Sequence, residues 1–262
     1  MGTINRLEAG EWDYLTKHFR ICESPPSNSA VSIPSADLLD EEKCAAYLDQ
    51  LTGVLQSPSR MVTASMFSKR YAFLTVVPGL YAMTMYNKGI DLSIGSSHLE
   101  TSPDQRSWLS HIRLGRLHVS LPAAGKRSEW RDRIANSLFA EHLAPIWRSV
   151  SKVANVPMPV LWENTAVRLF SLYEKRMEAE AGGEARSRMQ EDFEYLTGKA
   201  PASLFGETRN PFGRFYGGSR ANSASKPSVR IRKTCCYYYQ VSTDREYCTV
   251  CPKIHYAKDG RS

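Results

Sequence analysis

Three features of this 262-residue sequence predict a mainly α-helical fold with a small β element (α+β), a helical body followed by a compact C-terminal segment. Apolar residues recur at three- and four-residue spacing in six windows between Glu8 and Gly198. The stretch 88–121 alternates apolar and polar residues instead. From Lys199 the chain turns rich in Gly, Ser, Pro and Arg and shows no period, and four of the six cysteines follow. The organisation expected is a mostly helical body over residues 1–205, with a small β hairpin near 90–121, and then a basic loop and cysteine segment over 206–262.

In chain order, residues 8–20 read as a short helix that stops before the loop "CESPPSNSAVSIPS", where Cys22 is a bystander. Ser35 and Asp37 are candidate N-caps for a helix carrying Leu39, Cys44, Leu48 and Leu51 on one stripe. Cys44 there reads as a small buried hydrophobe. "SRMVTASMFSKRYAFLTVVPGLYAMTMYN" reads as two helices broken at Pro78, because proline lacks the N–H that a helix interior needs. "KGIDLSIGSS" and "HIRLGRLHVSL" suggest strands, with Gly115-Arg116 turning a hairpin. Helices resume after Pro122. Trp130, Ile134, Leu138, Ile146, Trp147 and Val150 form one stripe; Trp162, Ala166, Leu169, Tyr173 and Met177 form the next. A last helix is ended by Gly198. These stripes are core. The stretch "APASLFGETRNPFGRFYGGSRANSASKPS" reads as a long loop.

Composition excludes several classes. No run of eighteen apolar residues offers a membrane span, although association with a membrane surface stays open. The start "MGTINRLEAG" has no apolar secretory core, and Asn5 stands near where a myristoylation signal wants Ser or Thr. The expected location is cytoplasmic, where thiols stay reduced and available to metal. The net charge of +7 is uneven: residues 209–262 hold eleven Lys and Arg against three Asp and Glu, and residues 1–208 hold 23 against 24. A basic segment of this kind draws anionic partners. No HExxH, GxSxG, P-loop or strand-borne GxGxxG is present, and His111 and His118 read as packing or surface residues.

The chemistry lies in "RKTCCYYYQVSTDREYCTVCP". Cys235, Cys236, Cys248 and Cys251 fall within seventeen residues, and thiolate selects zinc, copper(I) or iron–sulfur clusters. Cys248-x-x-Cys251 is an ordinary metal knuckle. The vicinal Cys235-Cys236 is not, since adjacent side chains of an extended strand face opposite ways. Structural zinc usually takes two spaced knuckles, whereas a two-iron cluster offers two positions on each of two metals. The pattern favours a two-iron cluster over zinc and over thiol–disulfide chemistry, and leaves all three open. Tyr237, Tyr238, Tyr239 and Tyr247 are placed to screen the sulfurs. Arg230, Arg232, Lys233 and Lys253 would stabilise thiolates, and the first three are candidates for contact with an anionic substrate.

Arg-x-Arg-Lys-Thr-Cys-Cys followed by Tyr-Cys-x-x-Cys-Pro resembles the FhuF-type ferric-siderophore reductases, as do "MVTASMFSKRYA" and the Trp-x-Asn of "LWENTAVRLFSLYE". The helical features also resemble the C-terminal region of IucA/IucC siderophore synthetases. The resemblance implies a [2Fe–2S] cluster on Cys235, Cys236, Cys248 and Cys251, a ferric siderophore as substrate, and one-electron outer-sphere reduction that lets Fe(II) be released. An external electron donor, a ferredoxin or a reductase, would then be required. Eleven residues, Tyr237 to Tyr247, separate the cysteine pairs where the family pattern has ten. The rival expectations are a zinc-binding nucleic-acid module, since basic residues interleaved with aromatics suit single strands, and a non-redox siderophore-binding protein.

Overall fold

The computed structural model describes residues 5–27, 31–101, 110–217, 220–223 and 226–256. The extreme N-terminus, with the first residues of its myristoylation-like start, and the basic residues Lys258 and Arg261 lie outside the described residues. Helix α1 (Ala9–Phe19) opens with a capping box between Glu8 and Glu11, and Glu11 also takes Lys88. Strands β1 (Ile21–Cys22) and β2 (Val31–Pro34) lie in the stretch expected to be loop. Each finds its partner far along the chain, β1 parallel to β5 (His111–Leu114) and β2 antiparallel to β4 (Ser97–Thr101), so no local pattern marks them. With β4 and β5 antiparallel, the sheet order is β1-β5-β4-β2.

Gly115-Arg116 does not turn a hairpin. The strand after it, β6 (Val119–Ser120), leaves this sheet and pairs with β3 (Gly89–Ile90). The Gly115 N–H instead donates to the Ser96 carbonyl, at 2.6 Å. A Cβ at Gly115 would come within 3.0 Å of that same oxygen, which explains a glycine at this crossing.

Helix α2 (Glu41–Leu55) is capped by Asp40, whose carboxylate accepts from the N–H groups of Glu42 and Lys43; Ser35 and Asp37 sit in a 3₁₀ turn before it. Helix α3 (Arg60–Tyr81) follows, with sixteen of its twenty-two residues buried, so it is the axis of the body rather than a surface helix. It packs along α2, α5 (Ala144–Ala154) and α6 (Met158–Ser171). Pro78 does not break it. Proline removes only one rung of the helix, and packing on every side outweighs that loss. The backbone widens a turn later into a π-turn, Ala82–Tyr86, ended by Asn87 in the left-handed region (φ 54°).

Helix α4 (Arg127–Leu138) runs through a π-turn (Phe139–Leu143) into α5. Helix α6 continues through Leu172–Met177 into α7 (Glu178–Glu180). Helix α8 (Gly183–Glu194) continues through Tyr195–Lys199 and so passes Gly198. Of the first predicted stripe Cys44, Leu48 and Leu51 are buried on α2, but Leu39 falls in the 3₁₀ turn before the helix and is exposed; all the residues of the two later stripes are buried except the half-buried Ile134. The expected long loop after Lys199 holds a 3₁₀ turn (Ala202–Phe205) and α9 (Pro211–Tyr216), then strands β7 (Arg220–Ser223) and β8 (Lys226–Arg230). Phe205, Phe212 and Phe139 meet pairwise with ring centroids 5.2 to 5.3 Å apart and lie in the same core as the helices. Three aromatics thus fix a stretch too short-stepped to show a period. Helix α10 (Pro252–Tyr256) follows the last cysteine.

Candidate metal centre

Leaving β8, the chain buries Ile231 and Arg232 against α6 and delivers Cys235 and Cys236 beside α3. The vicinal pair is accommodated by a sharp bend. Tyr237 adopts the left-handed conformation (φ 61°), and its N–H points back to the Cys235 sulfur at 3.4 Å. The returning arm is tied to the outgoing one by the Arg232 N–H on the Val250 carbonyl, at 3.0 Å. The Cys251 N–H closes a turn on the Cys248 carbonyl, at 2.9 Å. The Cys236 and Cys248 sulfurs lie 3.6 Å apart. The Cys235 sulfur is within electrostatic reach of Cys236 and Cys251, and that of Cys248 within reach of Cys251. Cys236 and Cys251 are buried, Cys235 and Cys248 half-buried.

Among the described residues no group of three or more His, Cys, Asp or Glu side chains is arranged to hold a metal ion. The chemistry of the donor set still fits a cluster: four sulfurs on one arm, of the soft kind that iron–sulfur clusters require, with Lys69 and Arg232 beside Cys236. The other two cysteines take no part. Cys44 is buried on α2, and Cys22 sits in β1, both with thiol pKa values raised by burial, that of Cys22 to about 11.

A polar clamp on α3 and α6 positions the cysteine arm. The carboxylate of Glu163, almost fully buried, accepts the N–H groups of Lys233 and Thr234 at 2.7 Å each, and the Thr234 hydroxyl as well. Asn164 accepts from the Arg232 guanidinium at 2.7 Å and donates to the Ser65 and Ser68 hydroxyls at 3.1 and 2.8 Å. Ser65 in turn donates to the Cys236 carbonyl at 2.8 Å. The strings "ASMFSKR" and "WEN" are therefore the two halves of the cradle. Sequence reading singled them out as patterns without giving them this work, and nothing local in the chain says that they meet.

The sulfurs share charge unequally. The Cys236 thiol is pushed down by its hydrogen bond with Cys248, with help from the Lys69 ammonium and Arg232 guanidinium. Cys248 is pushed up by the same shared bond and by burial. Burial raises Cys235, opposed by the Tyr237 N–H. Lys69 is lowered by burial, and its neighbouring sulfurs oppose the shift. On the outer side Tyr239 and Tyr247 stack at 4.8 Å, and Lys253 donates to the Tyr239 hydroxyl at 2.9 Å.

The basic residues expected to meet a substrate are occupied within the fold. Arg230 makes a two-pronged pair with Glu174 (2.7 and 3.0 Å), donates to the Tyr216 carbonyl, and lies between the rings of Phe170 and Tyr216. Arg232 is buried in the clamp. Lys233 donates to the Arg214 carbonyl at 2.7 Å. All three hold the cysteine arm on the body.

Comparison with known proteins places the helical body. The family model described as "Ferric iron reductase FhuF-like transporter" matches residues 65–212, more than half of the chain, and the chain belongs to that family. The match takes in both halves of the cradle and ends before the cysteine arm. Among solved structures the chain is similar to the aerobactin synthetase IucC from a hypervirulent pathotype of Klebsiella pneumoniae, at 14% identity and a TM-score of 0.49. That likeness covers 71% of this chain and 36% of the synthetase chain, so the chain spans about a third of the synthetase's length. No curated protein matches.

Proposed function

We propose that this chain is a ferric-siderophore reductase that holds a [2Fe–2S] cluster on Cys235, Cys236, Cys248 and Cys251 and passes one electron to an Fe(III)–siderophore complex. The observation that carries the reading is the meeting of the two cysteine pairs at Cys236 and Cys248 on a cradle built from the family-matched helices. When bound, the cluster supplies a one-electron store. The chain's own residues do the rest. Glu163, Asn164 and Ser65 hold the vicinal pair in place, and Lys69 and Arg232 favour thiolate at Cys236. Hydrogen bonds, charge and burial around the sulfurs are what set a cluster's potential.

The electron comes from a separate donor, a ferredoxin or a reductase, since the sequence carries no nicotinamide or flavin fingerprint. It converts bound Fe(III) to Fe(II), which hard oxygen donors hold less tightly, and the reduced iron passes to other ligands inside the cell. No helix among the described residues is long and apolar enough to cross a membrane. The test is an anaerobic visible spectrum with iron, zinc and sulfide assayed on the same sample. The expected outcome is a red-brown protein with about two irons and two sulfides per chain, bleached by reductant and re-oxidised by a ferric siderophore. Cys236→Ser would lose the colour. A colourless protein holding one zinc would overturn the reading and turn attention to nucleic acid.

A further inference from the structure

Beside the sulfurs, α3, α6 and the segment between the two cysteine pairs enclose a cleft of about 820 Å³, within the usual size of a small-molecule site. Three half-buried cations line it: Lys69 and Arg70 from α3, and Arg168 from α6. Among the described residues none of the three is within ion-pair distance of a carboxylate. Among the described residues Arg168 bonds only a backbone carbonyl, that of Lys69. Arg70 makes no side-chain hydrogen bond among the described residues, and its charged neighbours are Arg168 and Arg20. Glu246, the one carboxylate on the lining, is exposed. Lys69 has the Cys236 sulfur beside it, but Arg70 and Arg168 are like charges withdrawn from water with no carboxylate partner among the described residues; that is costly, and an anionic ligand removes the cost.

The cleft also touches the candidate centre. Lys69 is common to both, since its ammonium faces the Cys236 and Cys248 sulfurs. It lies 5.3 Å from the ring centre of Tyr238. Tyr238, Ser242 and Glu246, all from the eleven residues between the cysteine pairs, form the opposite wall. The spacer is thus part of the cleft, and its length changes the cleft's shape.

We infer that this cleft is the binding site for a negatively charged iron chelate, with Arg70, Arg168 and Lys69 meeting its anionic oxygens and the inter-cysteine segment selecting its shape. The identity of the ligand rests on the reductase reading; the charge preference rests on the cleft.

The experiment uses gallium(III), which the protein cannot reduce, in two hexadentate chelates built on one neutral backbone: a trianionic tris-catecholate and a neutral tris-hydroxamate. Binding to the intact protein is followed by calorimetry. The trianion is expected to bind about tenfold or more tightly than the neutral chelate, with affinity falling as salt rises. Arg70→Gln, which breaks no side-chain hydrogen bond among the described residues, is expected to weaken the trianion about tenfold, as removal of a charged hydrogen bond does, and to leave the neutral chelate unchanged. Lys17→Gln, on an exposed surface pair with Asp13, removes the same charge outside the cleft and should change nothing. Equal binding of the two chelates, binding of neither, or equal effects of the two substitutions would overturn the inference. If the gallium trianion binds as described while the reduced protein leaves its iron(III) counterpart oxidised, the cleft stands and the reductase reading falls.

Discussion

Arg127 and Arg131 in the helical body and Lys69, Arg70 and Arg168 beside the cysteine arm are both groups of cations drawn away from water, but only the first group has a carboxylate at its centre. Asp192, fully buried, takes both prongs of Arg127 at 2.8 Å, Arg131 at 3.2 Å and the Thr84 hydroxyl at 2.9 Å. Arg131 also stacks on Tyr195, 3.7 Å from the ring centre, and pairs with Glu191. That cluster is closed, with every charge answered inside the chain, and it joins α4, α8 and the π-turn after α3. At the cleft, Arg70 and Arg168 have no carboxylate partner among the described residues. Closure marks a structural device; an unanswered set of like charges marks a place for a ligand.

The largest effect should come from breaking the closed cluster. Asp192→Asn leaves the half-buried Arg127 without its carboxylate and the buried Arg131 with only the exposed Glu191, and removal of one partner of a buried ion pair costs about 3–5 kcal/mol. Chemical denaturation should show that loss of stability. Chelate affinity, measured at a temperature where the variant stays folded, should be unchanged. A variant that keeps its stability but loses chelate binding would invert the distinction between the two groups.

The same distinction shows what the sequence could and could not say. Helices were legible where burial repeats at the helical period, so Trp147, Leu169 and Met177 lie in the core as their spacing predicts. Pro78 misled because its cost is local while the packing that offsets it is not. Strands β1 and β2 were hidden because their partners are β5 and β4, far along the chain. The four cysteines stood out by residue type and spacing alone. The basic residues did not sort themselves: Arg230, Arg232 and Lys233 are close to the cysteines in sequence, yet Glu174, Asn164 and the Arg214 carbonyl occupy them. Lys69, Arg70 and Arg168, remote in sequence, are the ones that line the cleft. Which cation lacks a partner is a property of the tertiary fold.

Glu163 tests the cradle, which is closed like the Asp192 cluster but serves the cysteine arm. In Glu163→Gln one carboxylate oxygen becomes an NH₂ that faces a backbone N–H, so a charged hydrogen bond is replaced by two opposed donors. The expected cost is about 2 kcal/mol, as for a lost bond to a buried charge. It should be concentrated in the arm. Amide exchange at Lys233 and Thr234 should quicken while exchange in α3 stays slow, because local opening and global unfolding are separate events. Uniform acceleration across the chain would show that the arm is not a separately held unit.

The smallest expected effect is also the sharpest test of the comparison. Arg230 is as basic as Arg70 and nearer to the cysteines in sequence, but its guanidinium is answered by Glu174 and two aromatic rings. Glu174 is about a third exposed, so the pair itself adds little, and the stacking is worth about 1 kcal/mol. Arg230→Gln should therefore lower stability by about 1 kcal/mol and leave the affinity for the gallium trianion within about twofold of the parent. Arg70→Gln should do the reverse, with little change in stability and a large change in affinity, since Arg70 has no carboxylate partner among the described residues. If instead Arg230→Gln weakens the trianion as strongly as Arg70→Gln does, the ligand reaches around the arm to the β8 side, and closure by Glu174 would not exclude a role in binding.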